Sequence, residues 1–143
     1  MKDLHNQIKT MVTIPVAAIG ANATKTGVVI DRKGYEGVEF VASYGSVTTT
    51  GTIVTLVIKE GDVTGTMTSV ADEDLLGTEA LASLLAATPR AAGTTKEVSK
   101  RVGYQGIKRY VQALAVQTGV TSVGCVGVNV ILHNPQIAPT SNP

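Results

Sequence analysis

Apolar and polar residues alternate along most of the chain, and this alternation is its strongest structural signal. A period of two is typical of a β-strand, whose side chains point in turn to the two faces of a sheet. Glycine, proline, asparagine and aspartate separate the alternating segments, a spacing typical of a β-sandwich or barrel. The predicted strands are 11–19, 25–32, 36–44, 52–60, 61–70 after an initial turn, 96–102, 108–117 and 122–133.

Three of these segments also predict where the strand lies in the fold. Residues 36–44 place an apolar set on one face, which we expect to face the core: Val38, Phe40, Ala42 and Tyr44. Residues 52–60 are apolar on both faces, so they predict a central strand. Segment 11–19 contains Pro15, which has no backbone N–H to donate. It is therefore predicted to be an edge strand or to contain a bulge.

The alternation stops at residues 71–95, which contain the one helical pattern. Thr78 is a predicted N-cap with Glu79 in the first turn, and the leucines Leu81, Leu84 and Leu85 would share one stripe. The sequence thus predicts at most one short helix near residues 78–87, with a loop over the end of a sandwich as the alternative. The predicted fold is an all-β antiparallel sandwich of about eight strands, as a jelly roll or Greek key ahead of an up-and-down barrel.

The length of 143 residues fits a single domain. We expect an N-terminal arm at 1–10, a β-sandwich domain at 11–134 and a flexible, proline- and asparagine-rich tail at 135–143.

Composition and charge narrow the classes of partner. The formal net charge of +1 is far from the basic excess typical of nucleic-acid binding, so we expect no nucleic acid as partner. No apolar run approaches the ~18 residues of a membrane span, and the N-terminus lacks the apolar segment of a signal peptide, so we expect no membrane association. The single cysteine, Cys125, fits synthesis in a reducing cytoplasm.

The residues that most often carry catalysis occur without partners at the required spacing. His5 and His133 lie at opposite ends of the sequence, and Cys125 sits among small residues in a predicted strand, where a thiol behaves as a small hydrophobe. The acidic run 72–74 lacks the alternating ligands and the distal glutamate of an EF-hand. We therefore expect no enzyme activity, no cofactor and no metal site.

Two short stretches of opposite charge remain. Five of the twelve cations lie between Lys96 and Arg109, while four of the eleven acids lie in 72–79. The basic stretch contains "RVGYQGIKRY" at 101–110, which combines cations with tyrosines and glycines. Two interpretations stay open: a glycine-supported turn with solvated charges, or a contact surface for a partner protein, where arginine and tyrosine are favoured anchors.

Four segments carry a resemblance to a known family: "MKDLHNQIK", "VIDRKGYEGVEFVASYG", "EGDVTGTMTSVADEDLLGTEAL" and "KRVGYQGIKRYV". Together they resemble the jelly-roll cement (decoration) proteins of tailed bacteriophages, including the type found on a short-tailed Bordetella phage. The resemblance covers most of residues 1–134. It implies a non-enzymatic virion protein, made in the host bacterial cytoplasm, that binds the outer surface of the mature capsid as a homodimer. Its partner would be the phage major capsid protein, whose neighbouring copies it would bridge.

On this reading the contacts lie in the N-terminal arm, the acidic stretch and the basic stretch. A carbohydrate-binding sandwich module and a tail-tube or head-to-tail connector subunit are the alternatives. The candidate protein-contact residues are Lys2, Asp3, His5, Asp72, Glu73, Asp74, Arg101, Tyr104, Lys108, Arg109 and Tyr110.

Overall fold

A computed structural model describes residues 3–46, 52–85, 97–120 and 124–140. The described residues form two antiparallel β-sheets with one short helix, α1 (Glu79–Ala82), and two single 3₁₀ turns, His5–Gln7 and Asp72–Asp74. The strands are β1 (Ile8–Ile19), β2 (Thr24–Thr26), β3 (Ile30–Asp31), β4 (Tyr35–Tyr44), β5 (Ile53–Val63), β6 (Thr66–Ser69), β7 (Leu75–Leu76), β8 (Leu84–Leu85), β9 (Val98–Tyr104), β10 (Tyr110–Thr118) and β11 (Gly124–Pro135).

The strand order is that of a jelly roll. Sheet 1 has the order β1-β11-β4-β9-β7, and sheet 2 has the order β2-β10-β5-β6, with β3 also paired to β10 and β8 to β5. The chain crosses between the sheets so that the first and last long strands, β1 and β11, are neighbours in sheet 1. Four strands of sheet 1 (β1, β11, β4 and β9) and four of sheet 2 (β2, β10, β5 and β6) have the order of a double Greek key. This order confirms the predicted all-β sandwich.

The core lies between the two sheets and is built from the predicted faces. Val38, Phe40 and Ala42 are fully buried, as expected for alternate residues on one face of β4. In β5, which lies between β10 and β6, the alternate residues Val54, Leu56 and Ile58 are fully buried. The prediction of a central strand is thus confirmed.

The strand that contains Pro15 lies at the edge of sheet 1, as predicted. The register of β1 against β11 shifts twice around this residue, between Val12 and Ile14 and between Ile14 and Ala17. At the shift, Thr13 pairs with Val28: the Val28 N–H donates to the Thr13 carbonyl at 2.7 Å, and Thr13 Oγ1 donates to the Val28 carbonyl at 2.9 Å. The bulge interrupts the edge that β1 presents to solvent.

Side chains cover the outer edge of β5 between β8 and β6. Glu79 Oε1 accepts a hydrogen bond from the Ile58 N–H at 2.5 Å, and Ser83 Oγ accepts one from the Leu56 N–H at 2.8 Å. Lys100 of β9 donates to the Ser83 carbonyl at 2.7 Å, so residues 79–83 contact both sheets. This segment closes one side of the sandwich.

The helix is shorter than the helical pattern suggested. Thr78 caps it as predicted, accepting a hydrogen bond from the Leu81 N–H at 3.1 Å, but the helix ends at Ala82. The expected leucine stripe is wrong: Leu81 is exposed, whereas Leu84 is buried in β8 against β5. Four residues gain little from helix formation alone, and burying Leu84 in a strand pairing stabilises the chain more. Residues 86–95 of the same prediction lie outside the described residues.

The ends of the described chain are hydrogen-bonded to each other. Strand β1 begins at Ile8, inside the segment predicted as an arm. Thr140, in the segment predicted as a flexible tail, donates from its backbone to the Asn6 carbonyl at 3.1 Å and from its hydroxyl to the Ile8 carbonyl at 2.7 Å. Up to Thr140, therefore, this segment packs along the start of the chain.

Candidate interaction surface

Most of the predicted contact residues converge at one end of the sandwich. In sheet 1, Tyr104 lies opposite Val38 and Leu75. In sheet 2, Tyr110 lies opposite Asp31 and Gly61. Four segments therefore meet at this end, which we call the Tyr104 end: the turn 32–34, the end of β5, residues 71–76 and the β9–β10 connection 105–109.

Tyr104 is the buried centre of this end. Its side chain is 1% exposed, so it lies beneath the surface and does not reach a partner, in contrast to its predicted contact role. Its hydroxyl donates to Glu60 Oε2 and accepts from the Lys108 N–H at 3.0 Å. Burial, followed by the hydrogen bond to Glu60, raises the pKa of this hydroxyl. Gly106 lies against the ring, where a Cβ would come within 2.5 Å of the hydroxyl oxygen.

The last two cations of the basic stretch, Lys108 and Arg109, are paired with acids inside the molecule. Lys108 Nζ lies 2.5 Å from Asp62 Oδ2. Arg109 makes a two-pronged contact with Asp31, at 3.0 and 2.6 Å, and stacks over the Tyr110 ring at 5.0 Å. The hydrogen bond from Arg109 lowers the pKa of the Asp31 carboxyl, and the one from Lys108 does the same for Asp62.

The acidic stretch lies directly beside this connection. Gln105 donates from its backbone to the Asp74 carbonyl at 2.9 Å and from its side chain to the Glu73 carbonyl at 3.1 Å. Asp72 and Glu73 are exposed, and within the described ranges neither carboxylate lies in an ion pair. Lys108 and Arg109 are already paired, whereas Arg32 and Lys33 of the turn lie outside the described ion pairs. The three acids 72–74 outnumber these two cations, so the unpaired charge at this part of the surface is negative.

Sequence reasoning missed the most exposed large apolar residue among those described. Ile107, at the middle of the β9–β10 connection, is 90% exposed. The sequence shows only an isoleucine between a glycine and a lysine in a short connection. This pattern does not tell whether the side chain is exposed or buried in the core.

The other predicted contact residues lie elsewhere. Arg101 is on the outer face of sheet 1, 80% exposed and 3.6 Å from Glu39 Oε1. Asp3 accepts hydrogen bonds from Asn6, and these lower the pKa of its carboxyl. His5 is exposed in the first 3₁₀ turn. Lys2 lies outside the described residues.

The outer face of sheet 1 carries a shallow groove of about 690 Å³. Val12 of β1, Val41 of β4 and Ile131 of β11 give it an apolar surface, and Asn129 lies between them. This concave surface is a second candidate, beside the Tyr104 end, for the packing of another protein.

The described residues hold no group of three or more metal-binding side chains. Cys125 is half-buried and lines a hollow with Val16 and Ser43. The His133 ring covers Gly37, where a Cβ would come within 2.0 Å of it. Among the helices described, none has the length and apolar character needed to cross a membrane.

Comparison with known protein families and with curated proteins finds no match. Among solved structures, the PBSX exported protein XepA is similar, with a TM-score of 0.54 and 14% identity over 92% of this chain. The infectious bursal disease virus VP2 subviral particle gives a TM-score of 0.51 and 7% identity over 91%. This chain spans only 39% of the XepA chain and 33% of the VP2 chain. At such identities the likeness is one of fold: the chain has a β-sandwich fold shared with a protein that builds a viral particle.

Proposed function

We propose that this chain is a capsid decoration (cement) protein of a tailed bacteriophage, as the resemblance to that family implies. It binds the outer surface of the mature capsid and bridges neighbouring major capsid proteins, without catalysing a reaction. The strand order supports this proposal most directly, because the resemblance implied a jelly roll and the two sheets have that order.

Three of the four segments that carry the resemblance also meet in space. Asp31 belongs to the second segment, Glu60 and Asp62 to the third, and Tyr104 and Lys108 to the fourth. These residues form the hydrogen-bonded network of the Tyr104 end. Three of the four segments therefore contribute side chains to one end of the sandwich, which makes that end a candidate for the shared capsid contact.

The physical mechanism is linkage between binding and lattice stability. A protein that binds the assembled lattice and not loose subunits stabilises the lattice by RT ln(1 + [L]/Kd), about 2.7 kcal/mol per site at a hundredfold excess over Kd. A homodimer of this chain would touch two capsid subunits. Once one half is bound, the other half is held at a high effective concentration near its site, so each contact could be weak and the dimer would still stay bound.

The carbohydrate-binding alternative receives little support from the surface. All five aromatic residues of the chain lie in its described part: Phe40, Tyr44 and Tyr104 are buried, and Tyr35 and Tyr110 are half-buried. Modules that bind sugars usually stack them on open aromatic rings. The CBM22-1 xylan-binding domain from Paenibacillus barcinonensis Xyn10C has a TM-score of only 0.40, at 11% identity, with 94% of this chain and 87% of that chain covered. That score is too low to favour this function.

The proposal is tested by adding purified protein to expanded phage capsids that lack it, with an unrelated icosahedral shell as control. We expect co-sedimentation with the phage capsids only, and a higher temperature of capsid disruption when the sites are filled. Equal binding to both shells, or none to either, would exclude the cement function. Tubes or rings of the isolated protein in negative stain would support the tail-tube alternative instead.

A further inference from the structure

We propose that Ile107 is the anchor by which the Tyr104 end docks on its partner, entering an apolar pocket with a cationic rim on the partner's surface. The proposal depends on the proposed function for the partner's identity, the major capsid protein. It assigns the contact to a residue outside the predicted contact set.

A single exposed isoleucine is ordinary on a protein surface. Ile107 differs because it is the one side chain of the connection that is not engaged within the molecule. Gln105 is held by the backbone of Glu73 and Asp74, and Gly106 lies on the Tyr104 ring. Lys108 and Arg109 are each paired with an aspartate.

The connection is also fixed along its backbone. The Lys108 N–H donates to the Tyr104 hydroxyl at 3.0 Å, and the Arg109 carbonyl accepts from the Arg32 N–H at 3.1 Å. An apolar side chain on a rigid support loses little conformational entropy on binding, which is the property of an interface anchor. Val63 and Lys108 line a hollow of about 260 Å³ beside the connection.

Charge indicates the chemistry of the partner's rim. The cations that follow Ile107 are neutralised by Asp62 and Asp31. Asp72 and Glu73, in the stretch that Gln105 of the connection contacts, lack an ion pair within the described ranges. A partner with lysines or arginines around its pocket would complement these acids. A second copy of this chain would instead bring together two ends with an excess of acids, which disfavours self-association here.

The test measures binding of purified variants to capsids that lack the protein. Ile107→Gln replaces the apolar tip with a polar side chain of similar length, and Ile107→Val keeps it apolar. Ile137→Gln is the matched control, since Ile137 is also an exposed isoleucine, at 84%. We expect Ile107→Gln to weaken binding about tenfold or more, with Ile107→Val and Ile137→Gln near wild type.

The triple variant Asp72→Asn, Glu73→Gln, Asp74→Asn tests whether the partner's pocket has a cationic rim. It should bind more weakly than wild type and show a flatter dependence of binding on salt. Wild-type affinity for Ile107→Gln, or equal losses at positions 107 and 137, would overturn the assignment of the anchor while leaving the cement function standing. Failure of the wild-type protein itself to bind capsids would remove the proposed function.

Discussion

The Tyr104 hydroxyl of β9 donates a hydrogen bond to the Glu60 carboxylate of β5, so that one polar contact joins the two sheets across the sandwich. The same oxygen accepts the N–H of Lys108, which fixes the β9–β10 connection. One buried hydroxyl therefore links the contact between the sheets to the position of the β9–β10 connection.

Tyr104→Phe should destabilise the fold by about 1–3 kcal/mol, because the half-buried Glu60 carboxylate and the Lys108 N–H both lose their partner. Urea unfolding of the variant measures this. Tyr110→Phe is the control, since the Tyr110 hydroxyl makes no hydrogen bond within the described part of the chain, and it should stay within about 0.5 kcal/mol of wild type. Equal stability of the two variants would show that the contact between the sheets contributes nothing.

Gly106→Ala should destabilise the protein by about 1–3 kcal/mol, because the new methyl group would lie within 2.5 Å of the Tyr104 hydroxyl oxygen and force the connection away from the ring. The comparison is Gly65→Ala in the β5–β6 turn, where a Cβ meets nothing within 4 Å. Thermal unfolding of both variants, measured side by side, checks the prediction. A Gly106→Ala protein as stable as Gly65→Ala would contradict the close packing described.

Glu79 gives a prediction about pH. Burial, with a smaller effect from Asp72, raises the pKa of its carboxyl above the ordinary value of 4.5, against the hydrogen bond from Ile58. A carboxyl with a raised pKa binds its proton more tightly in the folded state, so its contribution to stability is greatest at low pH and falls as the pH rises through the folded pKa. The stability of wild type relative to Glu79→Gln should therefore decrease as the pH rises above 4.5 and then level off.

A second Glu79 variant separates the hydrogen bond from the charge. Glu79→Ala leaves the Ile58 N–H without its acceptor and should cost about 1–3 kcal/mol, while Glu79→Gln retains an acceptor oxygen. Urea unfolding at several pH values measures both effects. Equal losses for the two variants would argue against a role for the hydrogen bond at the β5 edge.

Asp31→Asn should have a small effect with the opposite dependence on pH. The Arg109 hydrogen bond lowers the pKa of Asp31 below 3.8, so the pair stabilises the fold above that value and its contribution is lost as the pH falls through the folded pKa. Both side chains are partly exposed, so the loss at neutral pH should be about 0.2–1 kcal/mol. Stability curves of the two proteins should converge in acid; a constant gap across the pH range would contradict the ion pair.

The sequence was sufficient to predict those features of the fold whose cause lies within one short segment. Periodicity alone predicts which face of β4 is buried and that β5 is central. The chemistry of one residue predicts the irregular edge at Pro15 and the helix cap at Thr78. Such features need no knowledge of which strands become neighbours.

The Tyr104 end could not be predicted because its contacts join distant parts of the chain. Lys108 pairs with an aspartate 46 positions away, and Arg109 with one 78 positions away. Without the strand order, Lys108 and Arg109 look unpaired, and the sequence predicts a basic surface. In the structure these two cations are paired, and the unpaired charge is negative. The same limitation hid the burial of Tyr104 and the exposure of Ile107.

The cover that residues 79–83 provide for β5 affects how molecules of this protein behave when crowded. The N–H groups of Leu56 and Ile58 are occupied by side chains, so a neighbouring molecule cannot add a strand at those positions. Fibre growth by strand addition, the usual hazard of a valine-rich sandwich, is blocked there at its first step. At this edge, accordingly, neighbouring copies at high local concentration remain separate folded units.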